Sequence, residues 1–132
     1  GSQRVALSPI DPCSPDSNAT RGYVAVSLTT SSQIITGSAP NFVYVCSISL
    51  VAGAATNVAI VAGTGTVCGT SIAGIFGGST AATGYNFAAN GGIAFGNGGA
   101  SIGRSDATAE NLCILVSAAN QISGSLTYVL AP

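Results

Sequence analysis

The clearest structural signal in the sequence is an alternation of apolar and polar side chains with a period of two. In residues 23–28, Val24, Val26 and Leu28 fall on one face, and the same spacing recurs in residues 122–130. Such a period places alternate side chains on opposite faces of a β-strand, whereas an amphipathic helix needs a period of 3.6. Because no segment has a capped helical apolar stripe, the chain is predicted to be all-β.

Turn-forming residues divide this pattern into seven to nine short antiparallel strands. The strongest is 42–51, for which the alternation predicts one face with Phe42, Tyr44, Cys46, Ile48 and Leu50. Short connections predict two hairpins, one joining 42–51 to 57–62 and one joining 112–117 to 122–130. Many short strands are typical of a single β-sandwich, and the absence of Trp favours a jelly-roll-like topology over an immunoglobulin-like one.

The first residues differ from the rest of the chain. Pro9, Pro12 and Pro15 lie close together, and each proline fixes its backbone φ and removes a hydrogen-bond donor. We therefore predict an extended Pro-rich N-terminal arm over residues 1–21 and a β-sandwich domain over residues 22–132, with the three prolines as candidate anchoring positions.

Charge is scarce, and this limits the function. The chain has 3 basic and 4 acidic residues, whereas an average domain of this length has about 33 charged residues. There is no basic patch for nucleic acid and no attraction to an anionic membrane. A free monomer with so few charges is poorly protected against association, so we expect a protein that packs in an assembly. The alternative is a neutral secreted monomer with a Thr/Ser surface.

Catalytic and metal sites find no support. The chain has no His, which excludes standard Ser-His-Asp and Cys-His catalysis. Asp106 and Glu110 are four residues apart and share a face only on a helix, so we predict that they are solvated loop charges. No zinc or EF-hand spacing is present. We predict no enzyme activity, no catalytic residues, no cofactor and no metal.

Cysteines and tyrosines are the remaining candidate site residues. The four cysteines permit three pairings, and we expect at least one disulfide; Cys46 and Cys113 also fit buried free thiols within apolar strands. The tyrosines suit either stacking on sugars or cross-strand packing. The candidate disulfide residues are Cys13, Cys46, Cys68 and Cys113, and the candidate surface-binding aromatics are Tyr23, Tyr44, Tyr85 and Tyr128.

Three patches resemble small structural proteins of tailed bacteriophages: residues 43–46, residues 63–68, and residues 111–114 together with 123–128. The match covers roughly residues 42–130 and leaves out the arm. The resemblance implies a β-sandwich that decorates capsids or forms tail and fibre parts, often as a trimer.

On this basis we expect a non-enzymatic virion structural protein, either a capsid decoration (cement) protein or a tail or fibre component. It would pack against itself, as a homotrimer or larger, and against a capsid or tail protein, with the arm as an anchor. It would be located in a virion or outside the cell, without nucleic-acid or membrane partners. The alternatives are a secreted carbohydrate- or surface-binding module and an extracellular filament or matrix subunit.

Overall fold

In the computed structural model, which describes residues 10–132, the chain forms ten strands and two short 3₁₀ turns. The strands are β1 Arg21–Leu28, β2 Ser32–Ile35, β3 Phe42–Ala52, β4 Thr56–Thr64, β5 Thr70–Phe76, β6 Tyr85–Phe87, β7 Gly92–Phe95, β8 Gly103–Arg104, β9 Asn111–Val116 and β10 Ile122–Ala131. The turns are Thr66–Cys68 and Ala81–Thr83. The prediction of an all-β chain is confirmed.

The strands form two five-stranded antiparallel sheets that pack face to face. Sheet A has the order β1-β10-β3-β7, with β8 also paired to β3. Sheet B has the order β2-β9-β4-β5, with β6 also paired to β4. β5 and β6 can be counted as one interrupted strand, and so can β7 and β8, which leaves eight strands. The first strand, β1, then pairs with the last, β10, and the second, β2, pairs with the last but one, β9. This winding is the jelly roll, which confirms the predicted topology.

Both predicted hairpins are wrong. β3 and β4 lie in different sheets, and so do β9 and β10. The short connections cross from one sheet to the other, and they bond to each other: Gly53 N–H donates to the Gln121 carbonyl at 2.8 Å, and the Asn120 side chain donates to the Ala55 carbonyl at 2.8 Å. Both short loops are therefore crossovers between the two sheets. β3 pairs with β10 and β4 pairs with β9, so β3 and β4 do not pair with each other.

The predicted face of β3 is wrong in its first half. The pairing of β3 with β10 shifts between Thr127 and Tyr128, which leaves Cys46 as an extra residue on β3. A β-bulge of this kind reverses the alternation. Val43 and Val45 therefore join the core, whereas Cys46 belongs to a separate cluster on the outer surface.

The main core lies between the sheets and is mostly aliphatic, with Phe76 and Phe87 also buried in it. Its largest fully buried side chains include Leu50, Ile60, Leu112, Ile114 and Ile122. Each such side chain contributes about 1.5–3 kcal/mol when it is taken out of water. The predicted face of β10 is confirmed, since Ile122 and Leu126 are buried in this cluster. This apolar burial holds the two sheets together.

The described part of the arm before β1 forms no strand. Residues 10–20 run as turns and bends, and β1 begins at Arg21. Pro12 and Pro15 lie in this part of the arm, whereas Pro9 lies outside the described residues.

Candidate contact surface

The arm is bound to the outer face of sheet A by a disulfide. Cys13 pairs with Cys46 over a Cα–Cα distance of 5.6 Å. The bulge makes this bond geometrically accessible, because it turns Cys46 away from the core. Cys13 of the arm is fully buried together with Cys46 and Val129 of sheet A, with Tyr44 and Ala131 at their margin. The arm thus covers one end of the outer face of sheet A.

Polar side chains hold the arm at two further points. The Asp11 carboxylate accepts from the backbone N–H of Ser101 at 2.9 Å and from its hydroxyl at 3.0 Å. The Arg21 guanidinium donates to the carbonyls of Cys13 and Gly98. The hydrogen bond from the backbone N–H of Ser101 is the main cause of the lowered pKa of the Asp11 carboxyl group. Two of the few charged residues therefore serve to join the arm to the loop between β7 and β8.

The second disulfide makes the matching attachment on the other sheet. Cys68, in the turn Thr66–Cys68, pairs with Cys113 of β9 over a Cα–Cα distance of 6.1 Å. Both cysteines are fully buried in a small cluster with Ala59 and Val61. The expectation of disulfides is confirmed, and the alternative of free thiols at Cys46 and Cys113 is wrong. Each bond fixes a non-strand segment over a central strand from outside the sandwich.

The rest of the outer face of sheet A is open, and we call it the serine face. Its side chains point away from the core because they alternate with buried residues such as Ile48, Leu50 and Leu126. Its cross-strand rows are Tyr23, Thr127 and Ser47; Ala25, Ser125, Ser49 and Ala94; and Ser27, Ser123, Val51 and Gly92. These side chains carry no charge, and most are small or bear a hydroxyl group.

The serine face has a shallow cavity of about 290 Å³ at its edge, lined by Ser47, Ser49, Ala94, Gly96 and Ser125 among others. Ser47 and Thr127 bond through their hydroxyls at 2.6 Å across β3 and β10. Typical small-molecule sites have about 300–1,000 Å³ and apolar or aromatic walls. The cavity is at the lower limit of that size and has hydroxyl and small side chains instead.

The four candidate tyrosines do not form one aromatic platform. Tyr23 is 67% exposed at the rim of the serine face. Tyr44 is half-buried and meets Phe42 edge-on at a centroid distance of 6.2 Å. Tyr85 and Tyr128 pack against the main core. Tyr23 is thus the tyrosine placed to contact a ligand or a neighbouring subunit, and the other three serve in packing.

The expectation of two solvated charges at Asp106 and Glu110 is met at Asp106, which is exposed, but is wrong at Glu110. Glu110 is 3% exposed, and its carboxylate accepts from the Ala107 N–H at 3.1 Å. Burial, followed by the hydrogen bond with the Asp106 side chain, raises the pKa of Glu110 to about 7. The loop is also fixed by the Ala109 N–H, which donates to the Asn41 carbonyl at 2.9 Å. Glu110 can therefore hold a proton near neutral pH inside the end of the sandwich.

The described part of the chain has neither a candidate metal site nor a candidate membrane-spanning helix. Residues 10–132 contain no group of three or more His, Cys, Asp or Glu side chains placed to hold a metal ion. Within the same range, no helix has the length and apolar character needed to cross a bilayer. Two disulfides are compatible with an extracellular protein, since such bonds persist in oxidising compartments.

Comparison with protein-family models, with curated proteins and with solved structures finds no match for this chain. The resemblance to bacteriophage structural proteins therefore remains a prediction.

Proposed function

We propose that the chain is a non-enzymatic structural domain of a virion, a capsid decoration or tail and fibre component that acts through subunit packing. The observation that carries the proposal is the serine face, an uncharged, largely exposed surface on a sandwich whose own core is complete. Small side chains allow a neighbouring surface to approach closely without the desolvation of a charge.

The fold and the disulfides support the same role. Jelly rolls are recurrent in viral capsid domains. The two disulfides hold the arm and the turn Thr66–Cys68 against the sandwich, so the outer surfaces keep their shape without a partner. A rigid surface loses little conformational entropy when it packs, which favours permanent subunit contacts.

The size of the serine face indicates several contacts per subunit. From the spacings of strands and residues in a sheet, its rows cover about 300–400 Å². A standard stable interface buries about 800 Å² per partner. The face would therefore hold a subunit in place together with other contacts, as in an assembly of several copies or on a capsid lattice.

Light scattering over a series of protein concentrations tests the proposal. We expect wild type to form species larger than a dimer, with little dependence on salt because the face is uncharged. Ser49→Lys, at an exposed position in the middle row of the serine face, should suppress this assembly. Gln33→Lys, at an exposed position on sheet B, is the matched control and should assemble like wild type. Assembly that is unchanged by Ser49→Lys contradicts the proposed contact surface.

The second candidate is a carbohydrate-binding module, and Tyr23 favours it. Tyr23 is 67% exposed and lies in the same cross-strand row as the hydroxyls of Thr127 and Ser47. Jelly rolls also form lectin domains, and aromatic rings beside hydroxyl groups suit sugars. A glycan array with wild type and Tyr23→Ala separates the candidates. Binding that is lost in the variant favours the module, whereas an array without signal favours the structural domain.

A further inference from the structure

β1 is the most regular open edge of the sandwich. It has 8 residues and pairs with β10 in continuous register from Arg21 to Leu28. Within residues 10–132, no strand pairs with the other side of β1. An edge of this kind presents a row of backbone donors and acceptors that another strand can use.

The other sheet edges are short or irregular. β7 and β8 have 4 and 2 residues, and β2 has 4 residues with a register shift. β5 has two register shifts, and its Ser71 has a positive φ of 55°. Irregular edges of this kind hinder pairing between molecules. β1 has neither a bulge nor a proline, and Arg21, at its start, is its one charged residue.

We propose that β1 is an interface edge at which a second copy of this chain adds its own β1 in antiparallel pairing about a two-fold axis. The sheets A of the two copies would then form one continuous sheet. The register centred on Ala25 pairs every residue from Gly22 to Leu28 and keeps the apolar side of both strands on the core side.

Two features of the edge fit this register. Gly22 of one copy lies opposite Leu28 of the other, and Gly22 borders a cavity of about 290 Å³ that Tyr128 and Leu130 also line. The apolar Leu28 side chain of the second copy, which packs at the margin of its own core, would lie beside this space. Arg21 then lies opposite Thr29, so the two arginines are separated by about 27 Å along the strands. This exceeds the screening length of about 10 Å, and the charges do not oppose pairing.

Sedimentation velocity with charged variants of Ala25 tests the pairing. Ala25 is exposed, so a lysine is tolerated in the monomer. In the dimer the two substituted side chains face each other at about 5 Å. Ala25→Lys and Ala25→Glu should each raise the dimer dissociation constant more than tenfold, and an equimolar mixture of the two should restore a dimer. Ser49→Lys, two strands away from the edge on the same face, is the control that keeps the dimer.

The inference would be overturned by a wild-type monomer at all concentrations, an Ala25→Lys variant that dimerises normally, a mixture that stays monomeric, or loss of the dimer in Ser49→Lys. A dimer that forms only after removal of residues 1–9 would also overturn it, because the edge would then belong to that segment.

The inference rests on the proposed function, because it assumes that copies of the chain assemble. Different experimental results would contradict edge pairing and the serine-face contact. If large assemblies of wild type form and the equimolar mixture of Ala25→Lys and Ala25→Glu stays monomeric, edge pairing fails and the structural role stands. If Ser49→Lys leaves assembly unchanged while the Ala25 variants lose the dimer, the serine face fails as a contact surface and edge pairing stands.

Discussion

Replacement of Glu110 by Gln should remove most of the pH dependence of stability between pH 5 and pH 8. Burial and the Asp106 hydrogen bond raise the pKa of Glu110 from 4.5 to about 7 in the folded protein. The folded state thus binds this proton more tightly than the unfolded state. The stabilisation is fully present below pH 4.5 and is lost as the pH rises through about 7.

The magnitude follows from the size of the shift. At about 1.4 kcal/mol per pKa unit, a rise of this size corresponds to a loss of about 3 kcal/mol between pH 4.5 and pH 8. Gln keeps the acceptor for the Ala107 N–H and adds a donor for the Asp106 carboxylate, but it does not titrate. The chain has no His, so no other side chain has its ordinary pKa in this range. At pH 8 the variant should therefore be the more stable protein.

Urea denaturation followed by circular dichroism at several pH values measures the effect, since the chain has no Trp for fluorescence. Asp16→Asn makes the same chemical change at an exposed arm position and should keep the wild-type slope. Equal slopes of unfolding free energy against pH in wild type and Glu110→Gln would show that Glu110 does not cause the pH dependence.

Two further variants test the Cys13–Cys46 disulfide and the close approach of β10 to β3 at Gly124. Joint replacement of Cys13 and Cys46 by Ser should lower the unfolding free energy in urea by about 3–4 kcal/mol, because the bond closes a loop with a sequence separation of 33; a loss below about 1 kcal/mol would contradict this. Gly124→Ala should cost more than about 2 kcal/mol in the same assay, since a Cβ there would lie 1.8 Å from the Ser49 carbonyl oxygen. Gly53→Ala, whose Cβ would meet its nearest atoms at 3.6 Å, is the control and should stay within about 0.5 kcal/mol of wild type.

The alternation of side chains predicts where the strands are, but not which strands are neighbours. The faces of β1 and β10 follow from the apolar residues at every second position. The same pattern does not predict which strands pair, because a short loop can connect two strands of a hairpin or two strands in different sheets. The loops at Gly53 and Gln121 are crossovers because β3 and β4 pair with β10 and β9, strands far away in sequence.

One signal for the β3 bulge was present in the sequence. Val43 and Val45 occupy odd positions and Ile48 and Leu50 even ones, so the apolar phase changes at Cys46. This change of phase predicts a bulge and an outward cysteine. No comparable signal exists for the burial of Glu110 or for the contact between Asp11 and Ser101, because both depend on loops that meet only in the folded chain.

Electron cryomicroscopy of the assembled wild-type protein tests the central claim, that the chain acts by packing through its uncharged outer face. We expect the serine face around Ser49 and Ser125 to be covered by a neighbouring subunit. An assembly in which this face remains open to solvent, with every contact elsewhere, would contradict the account.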